Sequence, residues 1–290
     1  MSFSQTSLGN WKPLGLRVPL DAQVFAIGDV HGQADTLEEV LSAIKGVPRT
    51  GAVRRLIFIG DLIDRGPASL RAVALAQRAR ELAGVDDVVV LPGNHELMLL
   101  DGIDAPQMYI SDWLDNGGDA VIEEAQSGCT ARKLVELAAI ARTAIGDEFI
   151  DQMRTCPTWH EEGDLLFVHA GVDPTQDLMP FLDQSRFLAF DHNHWAWIRE
   201  PFLKWNHGWN GRIIVHGHTP AVQTQCTLKK FALAADKVGP QGRLCLDAGA
   251  AYLPQIGWAE FRANEYRLCM TALSGSAPRQ SVRIPDDGPE

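Results

Sequence analysis

The chain has 290 residues, of which 46% are hydrophobic and 22% are charged, values typical of a globular protein with a sizeable core. Its formal net charge of −11 argues against a nucleic-acid backbone or an anionic membrane surface as partner, because both are bound mainly through lysine and arginine. We therefore expect a phosphate-bearing substrate to be attracted by local positive charge, from metal ions or arginines, against the overall field.

The beginning of the sequence and the cysteines indicate a cellular compartment. Residues 1–20 lack the charged start and the apolar run of a secretory signal peptide. No apolar run approaches the roughly 20 residues that would cross a bilayer. The five cysteines are odd in number and form no Cys-x-x-Cys pair, so neither a disulfide framework nor a zinc knuckle is indicated. These features predict a cytoplasmic protein.

The first half of the chain repeats a strand, a polar loop and a helix three times. The strand-and-loop segments are 24–32, 54–67 and 87–96, and the helices that follow them are 36–46, 69–82 and 96–102. Strands that alternate with helices predict a largely parallel central sheet. Because such sheets bind ligands beyond the carboxyl ends of their strands, we expect the three polar loops to converge there.

The second half of the chain has a different pattern. We predict a helical insertion at about 97–160, which would wall or cap the crevice, followed by two strands that end at His169 and His216. Residues 242–273 are predicted to form antiparallel edge strands, and 274–290, rich in Ser, Pro and Asp, a flexible tail. We expect residues 1–273 to form a single domain.

The polar loops carry the side chains of a metal site. Asp29 and His31 are two residues apart, so in an extended segment both face the same point. Later loops add further candidates, namely Asp61, Asp64, Arg65, Asn94, His95, Glu96, His169, His216 and His218. This set of carboxylates, imidazoles and an amide, without a thiolate, suits Mn, Fe or Zn better than soft metals. Paired ions, bridged by one carboxylate, are typical of enzymes that displace phosphoryl groups.

Each of these loops also has an ordinary structural explanation. A Gly-Asp pair after a strand is commonly a turn or a helix N-cap, and a single histidine at a strand end is commonly a buried side chain. Five such loops, each following an apolar strand, are difficult to ascribe to chance. We therefore predict a metal-dependent phosphoesterase.

Five motifs in this order, GDVHG, GDLIDRGP, GNHE, FVHAG and GHTP, resemble those of the calcineurin-like metallophosphoesterases. More closely, they are similar to the phosphoprotein-phosphatase branch, which includes bacterial serine/threonine phosphatases and symmetrical dinucleoside tetraphosphatases. The resemblance covers roughly 22–255. It implies an α-β-β-α sandwich, in which two mixed β-sheets are flanked by helices, so the predicted parallel strands would form only part of the sheets.

The resemblance also implies which residues hold two metal ions, with Mn²⁺ favoured over Fe or Zn. The first ion would be held by Asp29, His31 and Asp61. The second would be held by Asp61, Asn94, His169 and His218, with Asp61 bridging the two ions.

The resemblance assigns catalytic and substrate-binding roles to further residues. His95 would protonate the leaving oxygen, oriented by Asp64, and this agrees with the use of a carboxylate to aim an imidazolium. Arg65, Arg199 and Asn94 would bind the substrate phosphate, since guanidinium groups match phosphate oxygens in pairs. An ordinary surface salt bridge is the alternative for either arginine.

The chain departs from the branch immediately before GNHE. Many members have an arginine there that contacts the phosphate, whereas this chain has Pro92. The residues that bind the phosphate thus include one cation fewer, or another residue takes the place of the arginine. The assignment as a protein phosphatase is therefore weakened.

Other aromatic and histidine residues have two interpretations. His216 either lies in the outer shell of the site or packs beside it. The tryptophans at 195, 197, 205 and 209 form an aromatic rim or, as we favour, pack the lid onto the core. The nearby histidines 192, 194 and 207 match no closed zinc set, and we assign them no role.

Three functions follow from these residues. The favoured one is hydrolysis of phosphate monoesters, such as phosphoserine, phosphothreonine or small phosphate esters. The alternative is cleavage of dinucleoside polyphosphates with the same metals, against which the missing arginine and the acidic balance argue. A non-catalytic metal-binding module is rejected, because all six ligands and the His95–Asp64 pair are present.

Overall fold

Two mixed β-sheets lie at the centre of the structure, a computed structural model that describes residues 3–131, 133–187 and 191–274. Helices flank the sheets, so the predicted α-β-β-α sandwich is confirmed. The predicted tail lies outside the described residues, apart from Ser274.

The first sheet contains seven of the described strands in the order β1-β12-β11-β3-β4-β5, with β2 paired to β12. Its strands are β1 (Phe3–Leu8), β2 (Lys12–Pro13), β3 (Ala22–Ile27), β4 (Val53–Phe58), β5 (Asp87–Val90), β11 (Gln255–Arg262) and β12 (Glu265–Ser274). Strands β3, β4 and β5 are parallel, as the repeated pattern predicts, and their carboxyl ends share one edge. The remaining pairings in this sheet are antiparallel.

The second sheet contains five of the described strands in the order β6-β7-β8-β10-β9. They are β6 (Trp159–Glu162), β7 (Leu165–Val168), β8 (Ile213–His216), β9 (Asp236–Lys237) and β10 (Arg243–Cys245). Strands β7, β8 and β10 are parallel, and β6 and β9 pair antiparallel at the two edges.

The helices are α1 (Ala34–Gly46), α2 (Ser69–Gln77), α3 (Ala79–Leu82), α4 (Asn94–Asp104), α5 (Pro106–Trp113), α6 (Asp119–Ala125), α7 (Leu134–Ile145), α8 (Asp147–Thr155), α9 (Leu178–Leu182), α10 (Glu200–Lys204), α11 (Leu228–Ala235) and α12 (Val238–Gln241). The predicted helix over 69–82 is interrupted at Arg78, which has a non-helical φ of −99° and ψ of 6°. A π-helical turn, Leu114–Gly118, separates α5 from α6. Helices α4 to α8 occupy the interval between β5 and β6, where an insertion is expected.

The predicted edge strands of 242–273 do not lie at an edge, and this prediction is wrong. Strand β10 lies between β8 and β9 and is parallel to β8, while β11 and β12 are antiparallel but interior. The physical reason is burial on both faces, since seven of the eight residues of β11 are buried. An edge of the first sheet is instead formed by β1, whose sequence FSQTSL contains little apolar surface to bury.

The core forms two layers because alternate residues of each central strand face opposite ways. In β3, Val24 and Ala26 belong to the cluster between the sheets, whereas Phe25 and Ile27 belong to the cluster shared with the helices. From the second sheet, Phe167 enters the cluster between the sheets and makes an edge-on contact with Phe261, with ring centroids 5.9 Å apart. This core fixes the positions of the strand ends. Among the described residues, the helices are too short or too polar to cross a membrane.

We predict that Phe167→Ala lowers the free energy of unfolding by about 3–5 kcal/mol, because it removes a fully buried ring and leaves a cavity between the sheets. Urea denaturation followed by circular dichroism measures this change. Leu233→Ala is the control, since Leu233 is 79% exposed and its truncation should change stability by less than about 0.5 kcal/mol. Equal effects of the two substitutions would contradict the packing described above.

Candidate functional site

The carboxyl ends of the parallel strands in both sheets meet at one place. Asp29 follows β3, Asp61 follows β4, Asn94 begins α4 after β5, and His169 and His218 follow β7 and β8. The main-chain N–H of His218 donates to both carboxylate oxygens of Asp29 at 3.1 Å, and the two sheets are thereby joined at the site. All five side chains are buried.

Asp61 lies between two groups of possible metal ligands. Its Oδ1 is 3.4 Å from Nε2 of His169, while its Oδ2 is 3.5 Å from Nε2 of His31. On one side, ligand atoms of Asp61, His169 and His218 all lie within 4.8 Å of one another. On the other, the same holds for His31, Asp61 and His95. A carboxylate with one oxygen toward each group has the geometry of a bridge.

Asn94 and Asp29 complete the two groups. The side-chain oxygen of Asn94 is 3.0 Å from Nε2 of His169 and 2.9 Å from Nδ1 of His218. Oδ2 of Asp29 is 4.0 Å from Nε2 of His31. The structure therefore brings together all six residues that the sequence assigns to metal binding.

The pKa values of the central side chains are shifted because several ionisable groups are buried close together. Burial, together with Asp247 and Asp61, raises the pKa of Asp29 well above its usual value. Burial acts in the same direction on Asp61, but His169 and His95 hold the pKa of that carboxyl well below its usual value. Burial opposes a charged imidazole at His169, yet Asp61 and Asp29 raise its pKa to about 9. The negative charge of Asp61 and the positive charge of His169 thus stabilise each other at the buried centre.

His95 forms a buried pair with Asp64. Nδ1 of His95 is 2.7 Å from Oδ2 of Asp64, and the indole N–H of Trp113 donates to the same oxygen at 2.9 Å. Burial lowers the pKa of His95 well below its usual value, although Asp61 acts in the opposite direction. Burial and the neighbouring Glu96 raise the pKa of Asp64.

The two predicted arginines both reach the site. Nε of Arg65 donates to the main-chain oxygen of Asn116 at 3.2 Å, and its side chain is half-buried. Nε of Arg199 donates to Nε2 of His218 at 3.1 Å from an exposed position. These bonds go to groups other than carboxylates, so they do not match the salt-bridge alternative.

His216 is buried outside both ligand groups. Its ring lies edge-on to Phe202, with centroids 4.8 Å apart, and its Nδ1 is 3.1 Å from the oxygen of Gly217. Burial lowers its pKa to about 3. These contacts support the interpretation that it packs beside the site.

Trp195 and Trp197 are buried in the core, in agreement with the packing role favoured from the sequence, whereas Trp205 and Trp209 are only partly buried. Of the nearby histidines, His192 and His207 are exposed, and His194 is bonded to main-chain atoms of Ser185 and Ala196. These side chains do not extend the ligand groups described above.

Glu96 is among the candidates from the sequence, but its structural role in the site is not revealed there. Its carboxylate accepts N–H groups of Asp61, Leu62 and Gly93 at 2.8 Å and that of Ile63 at 3.4 Å. Burial raises its pKa, and the bound N–H groups act against this. The available signal is its place as the third residue of a helix that follows glycine, where acids commonly bond backward to the chain.

Asp247 is a second buried carboxyl group near the site that the sequence analysis misses. It follows β10, so it repeats the strand-then-aspartate pattern of the other loops. Its Oδ1 accepts the N–H of Gly249 at 2.8 Å, and its charge contributes to the raised pKa of Asp29.

Strained backbone is concentrated at these residues. Seven described residues other than glycine have a positive φ, and five of them are predicted site residues: His31, Asp61, Asp64, Arg65 and His218. Glycine is required at position 93, because a Cβ atom there would overlap the side chain of Asp61. Such conformations are uncommon and are typical of functional sites.

Comparison with known proteins identifies the family. Residues 22–245 match the family model described as calcineurin-like phosphoesterase. The chain belongs to this family. The resemblance stated from the five motifs is therefore confirmed.

Three curated relatives show the range of names in the family. The asymmetrical bis(5'-nucleosyl)-tetraphosphatase PrpE of Bacillus velezensis is 26% identical over 208 residues, which cover 67% of this chain and 76% of that protein. A symmetrical bis(5'-nucleosyl)-tetraphosphatase of Pseudomonas fluorescens is 24% identical over 91% of this chain and 83% of that one. Serine/threonine-protein phosphatase 1 of Salmonella typhimurium is 38% identical over 33% of this chain and 39% of its own.

Among solved structures, a candidate diadenosine tetraphosphatase covers 89% of this chain and 97% of its own, with a TM-score of 0.53 and 17% identity. At that identity the likeness concerns the fold alone.

We predict that Glu96→Gln lowers the free energy of unfolding by about 1–3 kcal/mol, because an amide nitrogen would face buried N–H donors that now have a carboxylate oxygen. Urea denaturation of metal-free protein measures this effect. Glu136→Gln serves as control, since Glu136 forms an exposed pair with Lys133 and its substitution should change stability by less than about 0.5 kcal/mol. An unchanged stability in Glu96→Gln would show that the loop is held by other contacts.

Proposed function

We propose that the protein hydrolyses phosphate monoesters, as a serine/threonine phosphoprotein phosphatase or a phosphatase of small esters. Membership of the family indicates phosphoester hydrolysis. The buried His95–Asp64 pair is the observation that supports monoesters as the substrate class. An alkoxide is a poor leaving group and requires a proton from an acid, whereas the phosphate anion released from an anhydride requires less help. A dedicated, buried acid pair therefore favours monoesters.

We propose two metal ions, which suit the donors of this site. Asp29, His31 and Asp61 would hold one ion, and Asp61, Asn94, His169 and His218 the other. The support is Asp61, whose two oxygens face different groups of donors. Oxygen and imidazole donors without a thiolate suit Mn²⁺, with Fe or Zn as alternatives. When bound, paired ions supply Lewis acidity and an activated water at neutral pH.

In this proposal the protein binds the phosphate through Arg65, Arg199 and Asn94. A guanidinium group offsets the negative charge that spreads over the phosphate oxygens in the transition state. Arg199 reaches the ligand group through His218, and Arg65 lies next to Asp64 in the chain. The two arginines thus approach the centre from different sheets.

His95 then delivers a proton from Nε2 to the leaving oxygen. Nδ1 is engaged with Asp64, so only Nε2 is directed toward other groups of the site. A phosphate dianion raises the pKa of a neighbouring imidazole, and this opposes the lowering by burial. Substrate binding therefore favours the protonated acid.

Cleavage of dinucleoside polyphosphates is the second candidate, favoured by the names of the Bacillus and Pseudomonas relatives. Two observations make it the second choice. Trp195 and Trp197 are buried and present no free ring face for a nucleobase. Pro92 replaces a cation that would help to bind a polyphosphate chain.

A substrate panel tests the choice between the two. Mn²⁺-loaded protein is offered a phosphoserine peptide, p-nitrophenyl phosphate and diadenosine tetraphosphate, and kcat/KM is measured for each. We expect a monoester to be preferred by about tenfold or more, the difference that one transition-state interaction makes. Chelator-treated protein is the control and should be inactive. Preference for the dinucleotide would replace the first proposal with the second.

We predict that His95→Asn slows turnover of an alkyl phosphate by about 10²–10⁴, the usual contribution of one general acid. An aryl phosphate should lose less, because its leaving group is stable without a proton. Elemental analysis should show unchanged metal content. His207→Asn is the control, since His207 is exposed and contacts Trp205. Loss of metal in His95→Asn would instead identify His95 as a ligand, a role that its proximity to His31 and Asp61 allows.

A further inference from the structure

We infer that Trp113 is a positioning residue for the proton donor His95, acting through Asp64. This inference rests on the proposed function, because it concerns how the acid is aimed. Trp113 lies at the end of α5, in the helical segment that the sequence analysis treats only as a wall or cap. Its indole makes it part of the catalytic arrangement.

The first observation is the convergence of two donors on one oxygen. Oδ2 of Asp64 is 2.7 Å from Nδ1 of His95 and accepts the indole N–H of Trp113 at 2.9 Å. Oδ1 of Asp64 is buried and finds no hydrogen-bond partner among the described residues. The indole N–H therefore restrains the position and plane of the carboxylate group that faces His95. Without it, the carboxylate would lose the second of the two donors that hold it.

The second observation is how tightly the indole is held. Trp113 is fully buried, and the turn that follows it places Gly118 against the ring. A Cβ atom at position 118 would overlap the indole, so only glycine allows the turn to pack there. A donor fixed in this way orients its acceptor, because it has no alternative position to occupy.

The third observation is that the same turn holds Arg65, the residue after Asp64. The main-chain oxygen of Gly117 accepts the N–H of Arg65 at 3.0 Å, and that of Asn116 accepts its Nε at 3.2 Å. A Cβ atom at Gly117 would overlap the Arg65 side chain. The segment Trp113–Gly118 thus forms hydrogen bonds both with Asp64 of the acid pair and with Arg65, the proposed phosphate-binding arginine.

Trp113→Phe tests the inference, since it removes the N–H and keeps an aromatic ring. We expect kcat for an alkyl phosphate to fall by about tenfold, as for loss of an outer partner that orients a catalytic side chain. The aryl phosphate should change by less than about twofold, with KM and metal content unchanged, because its leaving group depends little on the acid. Equal loss on both substrates, or no loss on the alkyl ester, would overturn the inference.

Trp258→Phe is the matched control. Trp258 is also fully buried, and its indole N–H donates to Thr271 Oγ1 at 3.3 Å, within the first sheet. This variant should leave the ratio of alkyl to aryl turnover unchanged. If Trp113→Phe folds poorly, replacing Trp113 by benzothienylalanine removes the N–H while retaining the shape of the indole, and the same change in ratio is expected.

A spectroscopic readout separates this inference from the proposed function. The Nδ1–H proton of His95, bonded to Asp64, should give a downfield proton NMR signal that is absent from His95→Asn. We expect Trp113→Phe to shift or broaden this signal and Trp258→Phe to leave it in place. An unchanged signal in Trp113→Phe would overturn the inference whatever the substrate. Failure of wild-type protein to hydrolyse either monoester, with the signal shifted as expected, would overturn only the proposed function.

Discussion

The carboxylate of Glu96 is the interaction on which the geometry of the site depends. It accepts four main-chain N–H groups, three from the loop after β4 and one from Gly93 at the beginning of α4. A buried carboxylate is tolerated only when its charge is well hydrogen-bonded, so the loop and the helix must stay together. Asp61 lies on that loop, and His95 lies on that helix. One side chain therefore sets the distance between Asp61 and His95, the proposed acid.

Backbone strain is the cost of bringing so many polar groups to one point. A positive φ occurs at Asp61, Asp64 and His218, among other site residues, and each such residue costs of the order of 1 kcal/mol or more. The core between the sheets and the hydrogen bonds of Glu96 offset this cost. As a result, the side chains are aimed before any substrate binds, which is the usual requirement for stabilising a transition state.

Much of the fold and the site could be predicted because both depend on local pattern. Apolar runs that end in Gly-Asp or Gly-Asn predict the parallel strands and the convergence of their loops, and the observed contacts of Asp61 agree. The pattern could not place β11 and β12 in the interior of the first sheet, because their other partners, β3 and β1, lie far away in the chain. It also places Glu96 among the candidate metal ligands, whereas the hydrogen bonds of its carboxylate hold the backbone of the loop and the helix. The role of Trp113 could not be predicted either, because Trp113 and Asp64 are 49 residues apart in the chain and no local pattern connects them.

In the proposed function, the helical segment between β5 and β6 connects the general chemistry of the family to the choice of substrate. The strand ends supply the same kind of ligand group whatever the leaving group is, whereas Trp113 and the turn after it form hydrogen bonds with Asp64 and Arg65. An acid held by a carboxylate, and that carboxylate by an indole, contributes most where the leaving oxygen needs a proton. The net charge of −11 points the same way, because it repels a polyphosphate chain more strongly than a single phosphate group. In the proposed function, both constraints arise from residues outside the ligand set, and both favour a monoester.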